Sequence, residues 1–275
     1  MNCRALFLAT CLSIVLHSVP GRADALADIK QRGELVVGLE AAFVPYEYFD
    51  NGKIVGYDCD IAQAIAGQLG VKVRFIDTDW AGIIPALYAR KFDVVMSAMT
   101  ITKDRAEKVL FSIPYGDASP MVVLRSGDTS INSADDLSGH AVGAQLGSAP
   151  QQVAERFEAK LKEAGKPGFA ALKLYDHYPE AYLDLLNHRT DAVINSLSSV
   201  QVVMKDQPGK YRMIGGIQTA KTYFGQAFRK DDASLQAAAD GILVQMKSDG
   251  SLAALQQKWF GAAMTSPNEI PADLP

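Results

Sequence analysis

Cysteine is almost missing from this chain of 275 residues: there are three, and Cys3 and Cys11 both lie near the N terminus. If that end is removed on export, Cys59 stands alone and no internal disulfide can form. Histidine is scarce too, and His140, His177 and His188 fall in predicted loop or surface-helix positions without metal-ligand spacing. Basic runs are lacking: 27 Lys and Arg face 31 Asp and Glu, a net charge of −4. That balance excludes nucleic-acid binding and gives no reason for docking on anionic lipid. There is no glycine-rich phosphate loop and no nucleophile elbow, so neither a cofactor nor a catalytic residue is expected. Beyond the N terminus no apolar run reaches membrane length.

What the N terminus does carry is a leader. Arg4 precedes an almost unbroken apolar run over 5–16, and Ala23-Asp24-Ala25 offers a small-x-small cleavage site. A signal peptide over 1–25 is expected, with the mature protein outside the cytoplasm. Leu8-Ala9-Thr10-Cys11 has the outline of a lipoprotein box, but Thr10 suits it badly and lipidation is not expected. Loss of Arg4 and Arg22 leaves 25 basic against 31 acidic residues.

The rest alternates strand-like and helix-like segments, the pattern of an α/β fold with largely parallel sheets. Strands are predicted at 35–39, 71–76 and 92–96. After Arg125 a second series restarts, with strands at 141–143, 172–175 and 191–194. Ile61, Ile65 and Leu69 recur at helical spacing, and two helices close the chain at 233–247 and 251–259. One large domain and two lobes both fit; the restart favours two, with 121–124 and 223–228 as crossover segments. The Pro-rich end after Gly261 is expected to fray.

Three loops follow predicted strands, where α/β folds place ligands. The first, 40–46, carries Glu40, Phe43 and Tyr46. The second, Ser97-Ala98-Met99-Thr100-Ile101-Thr102, leads to Asp104 and Arg105. The third is Gly147-Ser148-Ala149 at a helix start. A guanidinium behind a hydroxyl-rich loop can meet a carboxylate through two parallel hydrogen bonds. Thr100 can add a hydroxyl and the 147–149 turn backbone N–H donors. Arg105 alone also reads as half of a surface ion pair with Asp104 or Glu107. Trp80 reads as core, or as a flat wall for a ligand stem.

These loops resemble the family 3 solute-binding proteins of bacterial ABC importers, from about Gly33 to Phe260. The matching stretches are Gly56-Tyr57-Asp58-Cys59-Asp60-Ile61, Asp79-Trp80-Ala81-Gly82-Ile83-Ile84-Pro85-Ala86-Leu87, Thr100-Ile101-Thr102 with Arg105, and Lys258-Trp259-Phe260-Gly261. Cys59 stands where an aliphatic residue is usual. The resemblance implies a type II periplasmic-binding fold: two α/β lobes, two crossover strands and a closing cleft. It places one lobe at 26–120 and 226–262, the other at 121–225, and a flexible tail at 263–275. It further implies a periplasmic, monomeric binding protein that serves an inner-membrane ABC permease and clamps an amino-acid-like carboxylate.

Residue by residue, the resemblance gives Arg105 the ligand α-carboxylate, helped by Thr100 and by backbone at Ala149. Phe43 and Trp80 flank the ligand, and Glu40 sets side-chain preference. Ser97, Ala98, Met99, Gly147, Ser148, Asn195 and Ser196 complete the expected site. One departure bears on the ligand. Ser196 follows Asn195 where amino-acid binders carry an aspartate for the α-ammonium, and a serine cannot offset a buried ammonium. Opine-binding members are similar in this, so the expected ligand is an amino acid or an N-substituted, opine-like derivative. The alternative is a cyclohexadienyl or arogenate dehydratase-like enzyme using Glu40 as acid. A free-standing sensor acting through a partner is a third reading.

Overall fold

A computed structural model describes residues 24–218 and 220–275. The expected leader lies outside them up to Ala23. Asp24 caps the first helix, Ala25–Arg32, by accepting a hydrogen bond from the Leu26 N–H. Among the described residues, no helix is long and apolar enough to cross a membrane.

The chain builds two lobes, each around its own sheet. In the first, Lys72–Asp77, Glu34–Leu39 and Val94–Thr100 lie side by side in parallel, and Tyr223–Phe228 joins Val94–Thr100 antiparallel. The second orders Ala171–Tyr175, Ala141–Gln145, Ala192–Ser196, Pro120–Arg125 and Tyr211–Ile214, the first three parallel and the rest antiparallel. Central strands are buried throughout because helices cover both faces; every residue of Val94–Thr100 and of Ala192–Ser196 is buried. The chain passes out of the first lobe just before Pro120 and returns just before Tyr223. Ala118 N–H bonds the Thr222 carbonyl at 2.9 Å where the two passages meet.

Each lobe has its own apolar core. Ile61 and Ile65 of helix Tyr57–Leu69 pack in the first beside Phe228 and Leu243. Val122, Val142, Phe157 and Ile194 pack in the second. Gly56, which opens the signature stretch, has φ 143°, and a Cβ there would collide with the Tyr46 carbonyl. Cys59 is buried and free, with its thiol pKa pushed up by burial.

The structure corrects two expectations. The segment read as a loop at 97–102 is largely strand, since pairing with Tyr223–Phe228 extends the edge to Thr100. The tail expected to fray lies along the first lobe. Met264 N–H bonds Gln256 Oε1 at 2.8 Å, Ser266 Oγ the Pro114 carbonyl at 3.0 Å, and Lys247 Nζ the Pro267 carbonyl at 2.7 Å. At its end, the Pro275 carbonyl accepts the Lys103 N–H at 3.1 Å. That N–H opens the short helix Lys103–Ala106, which carries Arg105.

Candidate ligand-binding cleft

Strand ends of both lobes meet face to face, as parallel α/β sheets predict. Glu40, Phe43, Trp80, Ser97, Ala98, Thr100 and Arg105 line one wall; Ser148, Ala149, Asn195 and Ser196 line the other. The enclosed space measures about 30 Å³, room for roughly two waters, so the lobes are drawn tightly together.

Two expected residues stand apart. Met99 is fully buried and belongs to the apolar cluster of Val36, Trp80 and Ile83, its side chain turned away from those of its neighbours Ala98 and Thr100. Gly147 lines the outer groove beside Trp80 rather than the enclosed space, and contributes through its carbonyl.

Arg105 sits at the meeting of the lobes, 7% exposed. Thr102 caps its helix by accepting the Arg105 N–H. One guanidinium N–H goes to the Thr100 carbonyl at 3.0 Å and another crosses to the Gly147 carbonyl at 3.0 Å. Trp80 lies under the guanidinium, ring centroid to Cζ 5.1 Å. Among the described residues Arg105 has no carboxylate partner, so neither Asp104 nor Glu107 neutralises it. Burial lowers its pKa to about 10, which leaves it a cation at neutral pH. Three of its five N–H groups remain for an incoming acid.

Across from it, Ser148 caps the helix Ala149–Glu163 by accepting the Gln151 N–H, with Pro150 in the first turn. The Ala149 N–H there has no intrahelical acceptor and belongs to the positive end of the helix. Asn195 turns back into its lobe, giving Nδ2 to the Tyr182 hydroxyl and accepting the Ser196 N–H. Ser196 Oγ is buried without a partner in the cleft wall.

The far end holds what the sequence did not disclose. Glu40, 3% exposed, accepts two bonds from Gln145 Nε2 at 2.8 and 2.7 Å, and His177 Nδ1 stands 2.5 Å from its Oε1. Gln145 and His177 belong to the other lobe, so this cluster also bridges the cleft. Burial raises the Glu40 pKa, partly offset by His177 and Gln145; the hydrogen bond to Glu40 raises that of His177. Tyr178 joins the wall, its ring 5.4 Å from Phe43, which stacks in turn on Tyr46 at 5.3 Å. All three missed residues lie at or just beyond strand ends, at Ala141–Gln145 and Ala171–Tyr175. The strand-end rule that found the other loops reaches them as well. Among the described residues no His, Cys, Asp or Glu group could hold a metal ion.

Residues 35–262 match the family described as bacterial extracellular solute-binding proteins, family 3. The L-cystine-binding protein TcyJ of Escherichia coli strain K12 is 33% identical over 90% of this chain and 91% of its own. The L-arginine-binding protein of Pseudomonas aeruginosa PAO1 is 30% identical over 82% and 86%. Among solved structures, an ancestral arginine-binding protein bound to arginine has 39% identity and TM-score 0.74, covering 84% of this chain and 99% of that one. The ancestral amino acid-binding protein AncCDT-1, a precursor of cyclohexadienyl dehydratase, has 35% identity and TM-score 0.77, covering 86% and 100%.

Proposed function

The chain belongs to the bacterial extracellular solute-binding proteins, family 3, and we propose that it is the exported capture component of an ABC importer for an amino acid or N-substituted amino acid. One observation carries the reading: a buried guanidinium, stacked on Trp80 and lacking an acid, faces a cleft between two lobes. A ligand carboxylate completes that site, taking bonds from Arg105 and from the Ala149 N–H. Closure around it is the hinge motion that presents a ligand-loaded form to a permease.

The amine end of the ligand meets Ser196, whose hydroxyl has no protein partner. An N-carboxyalkyl amino acid carries a second carboxylate beside its secondary ammonium and so brings its own counter-charge to a hydroxyl site, whereas a lone primary ammonium needs a formal charge from the protein. The named ligands of the relatives, cystine and arginine, are the first to test, with opine-type N-carboxyalkyl amino acids beside them.

A second reading has its own observation. Glu40 and His177 form the kind of acid–base pair a dehydratase would use. Both Glu40 oxygens are occupied by Gln145 and His177, which favours a positioning role over proton donation.

Calorimetry across L-arginine, L-cystine and N-carboxyalkyl amino acids tests both readings, with turnover of prephenate and arogenate followed in parallel. Arg105→Ala should weaken the tightest binder by about 2–5 kcal/mol, with Arg105→Lys recovering little. Ser196→Asp should shift preference toward primary ammonium ligands. Absence of binding across the panel, or turnover in the parallel assay, overturns the importer reading.

A further inference from the structure

Beneath the cleft floor lie two carboxyl groups that the ligand never meets. Glu47 is 0% and Asp58 1% exposed, and among the described residues neither has a Lys, Arg or His partner. We infer that Glu47 and Asp58 are positioning residues of the ligand cleft, sharing a single proton and thereby fixing the main chain at Ala98 and Glu40. The role rests on the cleft being the ligand site; the shared proton does not.

The hydrogen-bond geometry places the proton. Asp58 Oδ2 accepts the Ala98 N–H at 2.6 Å and the Tyr115 hydroxyl at 2.9 Å. Ser97 Oγ accepts the Glu40 N–H at 3.0 Å and gives its one proton to Glu47 Oε1 at 2.7 Å. With both acids ionised, Glu47 Oε2 and Asp58 Oδ1 are left buried and without a donor. Two adjacent buried anions with no cation are far more costly than one. One proton on Glu47 Oε2, given to Asp58 Oδ1, supplies both atoms at once and leaves a single negative charge. That charge sits on Asp58, where an N–H and an O–H already converge.

The surroundings agree. Burial raises both acids: Glu47, with the Asp58 charge beside it, is pushed well up, while Asp58 rises only to about 7 because the Ala98 and Tyr115 donors and the Glu47 hydrogen bond offset part of its burial. The other titratable groups facing the pair are Tyr46, Tyr57, Tyr115, Cys59 and Glu40. The tyrosines and the cysteine are all raised by burial and stay neutral near pH 7.

The pair does mechanical work at two points of the site. Ala98 has φ 40°, a left-handed conformation that a non-glycine residue adopts only when held. Its N–H points at Asp58, away from the cleft it lines. Through Ser97, the same pair holds the Glu40 N–H, and Glu40 forms the far end of the cleft. The first Asp of the Gly56–Ile61 signature and the Glu of Pro45-Tyr46-Glu47 thus act as one unit.

The experiment uses the full mature chain with Glu47→Gln, whose amide N–H stands in for the protonated carboxyl, beside Asp58→Ala and Asp58→Asn. Infrared spectra near pH 7 should show a protonated-carboxyl band in the wild type and in Asp58→Asn that Glu47→Gln lacks. The wild-type melting temperature should fall relative to Glu47→Gln as pH rises above about 5 and until it passes the raised Glu47 value, because the folded state holds a proton that the unfolded chain has released. In Asp58→Ala the amide resonances of Ala98 and Glu40 should move, and affinity for L-arginine or L-cystine, whichever binds, should drop at least about tenfold. Glu47→Gln should stay within about threefold of wild type. A wild type without the band, a band unchanged in Glu47→Gln, or unmoved Ala98 and Glu40 amides in Asp58→Ala overturns the inference. If neither probe binds the wild type, the importer reading is what fails; the infrared and amide results still judge the pair.

Discussion

At the scale of single residues, the cleft is organised by how two opposite charges are treated. Arg105 is buried and left open to an acid, while Glu40 is buried and closed off by residues of the facing lobe. The Glu40–His177 contact carries a pH dependence whose sign follows from the shifts. Pairing raises the His177 pKa, so its stabilisation is fully present below about pH 6.5 and is lost as pH rises through the raised value. Glu40 is also raised, so it ionises later than an exposed glutamate, and the ion pair exists between the two raised values. The melting temperature of the wild type should therefore fall across the histidine range, and His177→Gln should flatten that fall. Identical profiles for the two proteins would remove His177 from the closed state. Because His177 is partly exposed, the effect is a modest one.

At the scale of elements, the helix Ala149–Glu163 joins folding to binding. Its cap, Ser148, accepts the Gln151 N–H at 3.1 Å and donates to the Gln145 carbonyl at 2.7 Å, and its first free N–H faces the cleft. Ser148→Ala should cost about 1 kcal/mol in denaturant unfolding and should weaken ligand binding in the same step. An unfolding curve unchanged from wild type would show that the cap is not holding this helix. Elements of this kind are the part a reader of the sequence can see. Strand-helix alternation gave both sheets, and Arg105, Trp80 and Ser196 fell on strand ends that the structure brings together. Met99 was misplaced because a buried strand end reads as a loop when hydroxyl residues crowd it. Gln145 and His177 stand at or just beyond strand ends like the others, but Glu40, which they meet, lies 105 and 137 positions away in sequence. No local pattern encodes such a meeting; it exists only once the lobes close.

At the scale of the whole molecule, lobe contact is made at several points besides the ligand cleft. Tyr46 and Ser198 share a hydrogen bond of 2.6 Å, and Ser199 Oγ donates to the Val44 carbonyl at 2.9 Å. The segment after Gly261 adds a tie of another kind, running along the first lobe to the helix that holds Arg105. Leu274 packs against the apolar cluster behind the cleft, to which Trp80 and Met99 belong. Removing residues 263–275 should lower the melting temperature by a few degrees, on the order of 1–2 kcal/mol, and should weaken ligand binding through the Lys103–Ala106 helix. Equal affinity in the truncated and full proteins would confine the segment to stability.

Cys59 has a practical consequence. It is buried in the first lobe with its thiol kept protonated by its surroundings, and a protonated, enclosed thiol does not react with maleimides. A cysteine introduced at Leu183 or Tyr88, both exposed, would then take a dye by itself. With one fluorophore on each lobe the protein becomes an optical gauge of its own closure, and an unknown nutrient in a culture extract becomes something that can be titrated by colour.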